Sequence, residues 1–248
     1  MPSRWWIPVE GVDMSCVRIE HVHAAISRWF DRSLAEHHSG SKPYTISPPA
    51  TDDEGRSGIE LSVLSDEAHR RFFQGAEVGA AIRLGHQQGA IGMPISMHRH
   101  SWADMAQSVV ARAWNVDLIT PTTFRNGDRS SPLPNVRTIM TSLSQSWATW
   151  GATPAPDSLT ATRGTWVSGL ELSSTSVSFP VNQRGKRTIA EVVGSLGTLQ
   201  LMATEEAARA TGPLLQWAAY TGLGGMTRRG LGMVRIEPLA VGSHGRPG

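Results

Sequence analysis

The chain has 248 residues, of which 40% are hydrophobic, and it contains 25 glycines and 15 prolines. This composition is typical of a loop-rich globular protein and excludes a disordered one, while no apolar run approaches the roughly 20 residues that cross a bilayer. The formal net charge is only +2, and Cys16 is the single cysteine, which excludes an internal disulfide and a cysteine-based zinc site.

The first part of the chain alternates predicted strands and helices. Residues 5–19 contain a predicted edge strand that Pro8 interrupts, and apolar residues at three- and four-residue steps predict an amphipathic helix over residues 20–34. Ser65 is a favourable N-cap for a short helix that continues to Phe73. The remaining predicted strands are residues 42–47, 59–64, 80–84 and 90–97. This order is the βαββαβ of a ferredoxin-like unit, which we place at residues 1–113.

The second part of the chain repeats the same order of elements. A short strand over residues 114–119 precedes a helix over residues 136–150, and a helix from Thr204 towards Tyr220 is predicted to be kinked or restarted at Gly212-Pro213. The remaining predicted strands are residues 165–179, 188–202 and 231–236. The sequence therefore predicts an α+β protein of two tandem ferredoxin-like (RRM-like) domains, the second at residues 114–248.

A glycine-rich loop, GLGGMTRRGLGM over residues 222–233, lies between the last helix and the last strand. It is not the GxGxxG of a dinucleotide fold, which needs a strand before it and a helix after it, and it lacks the Gly-Lys-Ser/Thr ending of a phosphate-binding P-loop. Exposed N–H groups together with arginine side chains favour an anionic ligand such as a phosphate.

Three segments resemble CRISPR-associated endoribonucleases that process precursor CRISPR RNA, which are members of the RAMP superfamily. The glycine-rich loop resembles the carboxy-terminal loop of that superfamily. The stretch His23 to Pro48 is similar to the first helix, catalytic loop and following strand of the RNA-processing branch, and residues 120–125 resemble its central TPTTF segment. Together they cover about 50 residues in the order that the family has.

The resemblance implies two ferredoxin-like domains that hold RNA across their faces and cleft. It also implies an endoribonuclease that needs no metal and no cofactor, in which a 2′-hydroxyl attacks the adjacent phosphate to give 2′,3′-cyclic phosphate and 5′-hydroxyl ends. The implied partners are CRISPR repeat RNA, as precursor and mature crRNA, and other CRISPR effector subunits. The amino-terminal segment has no long apolar stretch of a secretory signal, so we expect a cytoplasmic protein without a membrane partner.

The resemblance also implies site residues. The catalytic histidine of the family corresponds to His37 or to its neighbour His38, and Lys42 corresponds to a lysine that could neutralise the pentavalent phosphate. His23, one turn before Ser27 on the first helix, is a further candidate, whereas the tyrosine that some relatives carry on this helix corresponds to Ser27. The implied RNA-binding residues belong to the glycine-rich loop: Gly222, Gly224, Thr227, Arg228, Arg229, Gly230 and Gly232.

Two other functions stay open at this point. One is a non-catalytic RNA-binding RAMP subunit of a CRISPR effector complex, and the other is an unrelated phosphate-binding protein. A second RNA contact could lie in the turn that contains Arg184, Lys186 and Arg187, although a solvated hairpin tip explains it as well. His98 and His100 could point the same way on a strand, but no acidic or cysteine ligand accompanies them locally, so we do not expect a metal site.

Overall fold

The computed structural model describes residues 1–107, 111–126, 129–183 and 186–240, without the side chains of residues 38, 126, 180–183 and 186–187. Two antiparallel sheets form in succession along the chain, and helices cover a face of each sheet. The two hydrophobic cores are built from different parts of the chain, one chiefly from residues before 92 and the other chiefly from residues after 101.

The first sheet has the strand order β2-β4-β1-β6-β5, with β3 paired to β4 and β7 paired to β1. Its strands are β1 (Ser3–Glu10), β2 (Tyr44–Ile46), β3 (Ala50–Thr51), β4 (Ser57–Val63), β5 (Ala81–Leu84), β6 (Gln87–Ile91) and β7 (Ile95–Arg99). Its helices are α1 (Ile19–Phe30), α2 (Leu34–His38) and α3 (Asp66–Gly75). Strands β6 and β7 together take the fourth position of the ferredoxin-like order, beside β1.

The second sheet has the order β11-β12-β8-β13, which is the ferredoxin-like order once more. Its strands are β8 (Ala113–Thr122), β11 (Thr165–Gln183), β12 (Lys186–Ala203) and β13 (Val234–Leu239), and a small hairpin is formed by β9 (Phe124–Asn126) and β10 (Arg129–Ser131). The helices are α5 (Val136–Trp150), α6 (Ser158–Gly164) and α7 (Glu205–Thr221); α4 (Trp102–Ala106) precedes this sheet in the chain. The predicted fold of two ferredoxin-like domains is therefore confirmed, while the limits 1–113 and 114–248 stay a prediction.

Two predicted elements of the first domain are wrong in their details. Strand β1 is continuous through Pro8 and central in the sheet, because it pairs with β4 on one side and with β6 and β7 on the other. The Pro8 carbonyl accepts from Gly92 in the gap between β6 and β7, so the nitrogen without a proton faces the point where the neighbouring strand is broken. Helix α1 ends at Phe30 rather than at Leu34, because Ser33 caps the separate helix α2.

The second domain follows its prediction more closely. Helix α5 has the predicted bounds, and α7 is one continuous helix that includes Pro213, so the predicted restart does not occur. Strands β11 and β12 are longer than predicted, and their outer half extends past β8. Trp147 and Trp217 are fully buried and pack with Trp102 in the core of this domain, with the three ring centroids 5.0–5.9 Å apart.

Candidate active site

The glycine-rich loop is tightly folded against the rest of the second domain. Gly224 has a φ of +74°, and a Cβ atom there would lie 2.1 Å from the carbonyl oxygen of Thr123, in the TPTTF segment. Gly232 has a φ of +70°, and a Cβ atom would lie 2.0 Å from the carbonyl oxygen of Leu223. Glycine is therefore required at both positions, because the backbone is left-handed and the neighbouring chain is too close for a side chain.

The tip of this loop packs against the first domain. The residues Thr227–Arg229 form a 3-10 turn beside β2 and α1, and Gly230 lies against Ile19 and Pro48. Arg228 Nη1 donates to the carbonyl oxygens of Ser39, at 2.6 Å, and Gly40, at 3.3 Å. The two segments that the sequence singled out, one near each end of the chain, therefore meet in space.

Helix α2 carries His37 and is fixed to its surroundings through Glu36. The carboxylate of Glu36 lies 3.0 and 3.3 Å from the guanidinium of Arg71 on α3, and it also accepts a hydrogen bond of 2.6 Å from the backbone N–H of Arg32. These contacts lower the pKa of Glu36, the hydrogen bond from Arg32 being the largest cause. The short helix is thus tied to α3 one residue before His37.

Asp31 is a site residue that the sequence did not indicate. It directly follows α1, and its buried carboxylate lies 3.0 Å from His37 Nδ1 and 2.6 Å from Lys42 Nζ. An Asp at the end of a helix is common for many reasons, so the sequence offered no specific signal. Asp31 can contact His37 because α1 ends at Phe30, so that Asp31 lies outside the helix and next to the segment that follows.

Lys42 does not face solvent in this arrangement. Its side chain is 4% exposed, and its ammonium donates both to Asp31 and to the carbonyl oxygen of Glu36. A direct contact with a phosphate, as the resemblance implies, would therefore require the ammonium to leave Asp31. In this structure the ammonium of Lys42 contacts Asp31, and Asp31 in turn contacts His37.

His23 lies on α1 close to the tip of the glycine-rich loop. Burial is the main cause that lowers its pKa, followed by the positive charge of Arg229, and the charges of Arg228 and His37 act in the same direction, while a hydrogen bond to the backbone of Arg228 opposes them. Its Nδ1 is buried and has no hydrogen-bond partner within the described part of the chain. Its surroundings thus favour the neutral form of the His23 imidazole.

Two adjacent arginines concentrate positive charge beside His23. Burial and then the charge of Arg228 lower the pKa of Arg229, while Glu20 opposes them. A bound anion would offset this repulsion, which makes the turn suitable for a phosphate.

The remaining site predictions fall in different places. The hydroxyl of Ser27 is buried and donates to Ala24 within α1, while His98 lies on β7 and His100 directly follows it. No group of three or more metal-ligating side chains occurs among the described residues. Arg184 and the side chains of His38, Lys186 and Arg187 lie outside what the structure describes.

An open groove of about 440 Å³ lies beside His37, whose side chain is 50% exposed. Arg28 and Arg32, one helical turn apart in sequence, line it together with the exposed apolar side chain of Leu34. The other lining residues are Ala24, Ser27, Asp31 and Ser33. The groove therefore combines positive charge, an apolar surface and an imidazole.

Known proteins resemble this chain in sequence and in fold. The family model of the CRISPR-associated endoribonuclease Cas6 matches residues 116–234, just under half of the chain. A Cas6 in a product complex is 20% identical, with a TM-score of 0.74 over 96% of this chain and 100% of that chain. The Cas6 of Thermus thermophilus is 21% identical, with a TM-score of 0.69 over 96% and 98% of the two chains. No curated protein matches the sequence.

A more distant solved structure, described as a RAMP protein binding different RNA substrates, is 13% identical, with a TM-score of 0.58 over 96% of this chain and 99% of that chain. The chain thus has two ferredoxin-like domains, the fold that it shares with the solved Cas6 and RAMP structures. The resemblance of the sequence to the CRISPR-associated endoribonucleases is confirmed, and Cas6 is the family whose model matches. None of the described helices is long and apolar enough to cross a membrane.

Proposed function

We propose that this protein is an endoribonuclease that cleaves CRISPR repeat RNA in the precursor and so produces mature crRNA. The observation that carries the proposal is the contact between the glycine-rich loop and the histidine loop (residues 37–42, from the end of α2 to Lys42), in which Arg228 donates to the backbone just beyond His37. A strand of RNA that follows the loop would pass directly beside an imidazole. The product and substrate-mimic complexes of similar solved structures support the same function.

In the proposed reaction the 2′-oxygen of a ribose attacks the adjacent phosphorus, and the bond from phosphorus to the 5′-oxygen of the next nucleotide breaks. The products are a 2′,3′-cyclic phosphate and a 5′-hydroxyl. One proton leaves the 2′-hydroxyl and one proton reaches the departing 5′-oxygen. Imidazoles can perform both transfers near neutral pH, so we propose that cleavage needs no metal ion.

His37 is the proposed principal acid–base group, with His38 as its alternative. Its half-exposed ring borders the groove, where a reacting phosphate has room. His23 is a second candidate because it lies on α1 beside Arg228 and Arg229, and burial lowers its pKa and so favours the neutral ring that a general base requires. Lys42 contributes through Asp31, to which its ammonium is bound.

The proposed RNA path runs from the glycine-rich loop into the groove beside His37. The loop supplies Arg229, and the groove supplies Arg28 and Arg32. Arginine pairs with phosphate oxygens through its planar fork and needs no particular base. Leu34, which is 74% exposed, offers an apolar surface for a nucleobase next to the cleavage point.

The test is cleavage of a labelled repeat RNA by the double variant His37→Ala/His38→Ala in the presence of EDTA. We expect the wild type to form a 2′,3′-cyclic phosphate under these conditions and the double variant to cleave about 10²- to 10⁴-fold more slowly. His23→Ala, assayed in parallel, should cause a smaller loss. His86→Ala, which changes an exposed histidine in the β5–β6 turn, is the matched control and should cleave at the wild-type rate.

Two results would count against the proposal. Unchanged cleavage by the double variant would remove His37 and His38 from the reaction. Tight binding of repeat RNA by the wild type without any cyclic phosphate product would indicate the alternative function, a non-catalytic RAMP subunit.

A further inference from the structure

The carboxylate of Asp31 lies between an ammonium and an imidazole. Oδ1 accepts a hydrogen bond of 2.6 Å from Lys42 Nζ, and Oδ2 lies 3.0 Å from His37 Nδ1. An ionised carboxylate can only accept hydrogen bonds, so the contact requires a proton on Nδ1. We propose that Asp31 and Lys42 are positioning residues that fix His37 in the tautomer with the proton on Nδ1 and the basic lone pair on Nε2.

Asp31 and Lys42 are buried, whereas His37 is half-exposed, so the aspartate and the lysine hold the imidazole in place. The side chains of Asp31 and Lys42 are 7% and 4% exposed, whereas that of His37 is 50% exposed. The imidazole is therefore anchored on its protein side and can exchange protons with a substrate through Nε2. This catalytic consequence rests on the proposed function, but the tautomer itself does not.

Lys42 determines which end of an amide at position 31 would face His37, because an ammonium can only donate hydrogen bonds. It is held by Asp31 and by the carbonyl oxygen of Glu36. In the variant Asp31→Asn, Lys42 keeps the amide oxygen, and the amide NH₂ must then point towards His37. Nδ1 becomes an acceptor, and the proton of the ring moves to Nε2. The substitution would thus preserve the shape of the site and reverse its tautomer.

Substitutions at Asp31 and Lys42 should partly compensate for each other. We expect Asp31→Asn to slow cleavage at saturating repeat RNA about 100-fold, with little change in KM. Lys42→Met alone should also slow cleavage, because it removes the partner of a buried carboxylate. In the double variant Asp31→Asn/Lys42→Met the amide can rotate and offer its oxygen to Nδ1, so cleavage should be about 10-fold faster than in Asp31→Asn alone.

The tautomer can be measured without any RNA by nitrogen-15 NMR of histidine-labelled protein at alkaline pH. The His37 signals are assigned by their loss in His37→Gln. We expect Nδ1 to carry the proton in the wild type and in the double variant, and Nε2 to carry it in Asp31→Asn. The control is Asp53→Asn, which removes an exposed carboxylate of the same domain and should change neither rate nor tautomer.

The proposal is overturned if nitrogen-15 NMR finds the ring proton of wild-type His37 on Nε2. This result decides the question even if the Asp31 and Lys42 variants fail to fold. Equal cleavage rates for Asp31→Asn and the double variant would overturn the proposal as well. A wild type that shows the expected tautomer but cleaves no repeat RNA would refute the proposed function and leave the positioning role standing, so the two failures can be told apart.

Discussion

Gly224 and Gly225 are neighbours in the glycine-rich loop with opposite surroundings. At Gly224 the backbone is left-handed and a Cβ atom would lie 2.1 Å from the carbonyl oxygen of Thr123, whereas at Gly225 the backbone is not left-handed and the nearest atoms would be 3.8 Å away. The loop is thus constrained at one glycine and tolerant at the next. Which glycine is essential depends on Thr123, which lies 101 residues before Gly224 in the chain.

We therefore expect Gly224→Ala to lower the free energy of unfolding by at least about 2 kcal/mol, since it combines backbone strain with a steric clash. Gly225→Ala should change it by no more than about 0.5 kcal/mol. Urea denaturation of both variants checks this. Similar losses for the two would mean that the loop needs flexibility at every glycine rather than a close approach at one.

At the scale of residues, the sequence indicated His37, Lys42 and Arg228 because each lies in a segment that resembles a known family. Their roles in the site stay a prediction. Asp31 could not be predicted, because its contact with His37 depends on where α1 ends. The burial of Lys42 was equally invisible, since a lysine in a polar loop is normally solvated.

At the scale of elements, α2 has only five residues, too few to be stable without tertiary contacts. Arg71 supplies them: its guanidinium binds the carboxylates of Glu36 and Glu67 and donates to the carbonyl oxygen of Phe30, the last residue of α1. One side chain of α3 therefore holds both the end of α1 and the helix that carries His37.

The variant Arg71→Ala should release α2, lower Tm by about 3 °C and slow repeat-RNA cleavage, because His37 would no longer be held in one place. Arg70→Ala is the matched control on the same helix. Arg70 is 75% exposed and pairs only at the surface with Glu67, so its loss should have little effect. Thermal unfolding and single-turnover cleavage of the two variants test this difference, and equal effects would contradict it.

The elements themselves were predictable to different degrees. Helix α5 has a long apolar pattern that packing merely completes, so its predicted bounds are confirmed. The apolar pattern of α1 continues past its end, because Leu34 repeats the spacing although it lies in another helix and is exposed. Pro8 indicated an edge strand, and only the gap between two partner strands allows it at the centre of the sheet.

At the scale of the whole molecule, the second domain helps to shape the segment of the first domain that carries His37. Thr45 on β2 donates a hydrogen bond of 2.8 Å to the carbonyl oxygen of Tyr220, at the end of α7. Arg228 makes another link, to Ser39 and Gly40. The sequence predicted two domains of one kind and an RNA contact at the loop, but no periodicity or motif can predict how two domains meet. The position of Arg228 suggests that it holds the histidine loop as well as any RNA.

These two roles of Arg228 can be separated by kinetics. If Arg228 holds the loop, Arg228→Ala should lower kcat about 10- to 100-fold while KM changes little, because His37 is displaced rather than the RNA. Hydrogen exchange of the backbone over residues 33–42 should become faster in the free protein, and Arg228→Lys, which keeps one cationic donor, should be intermediate. Arg209→Ala, an exposed arginine on α7, is the control. A rise in KM with unchanged hydrogen exchange, together with a weaker dependence of binding on salt, would instead make Arg228 a phosphate contact and nothing more.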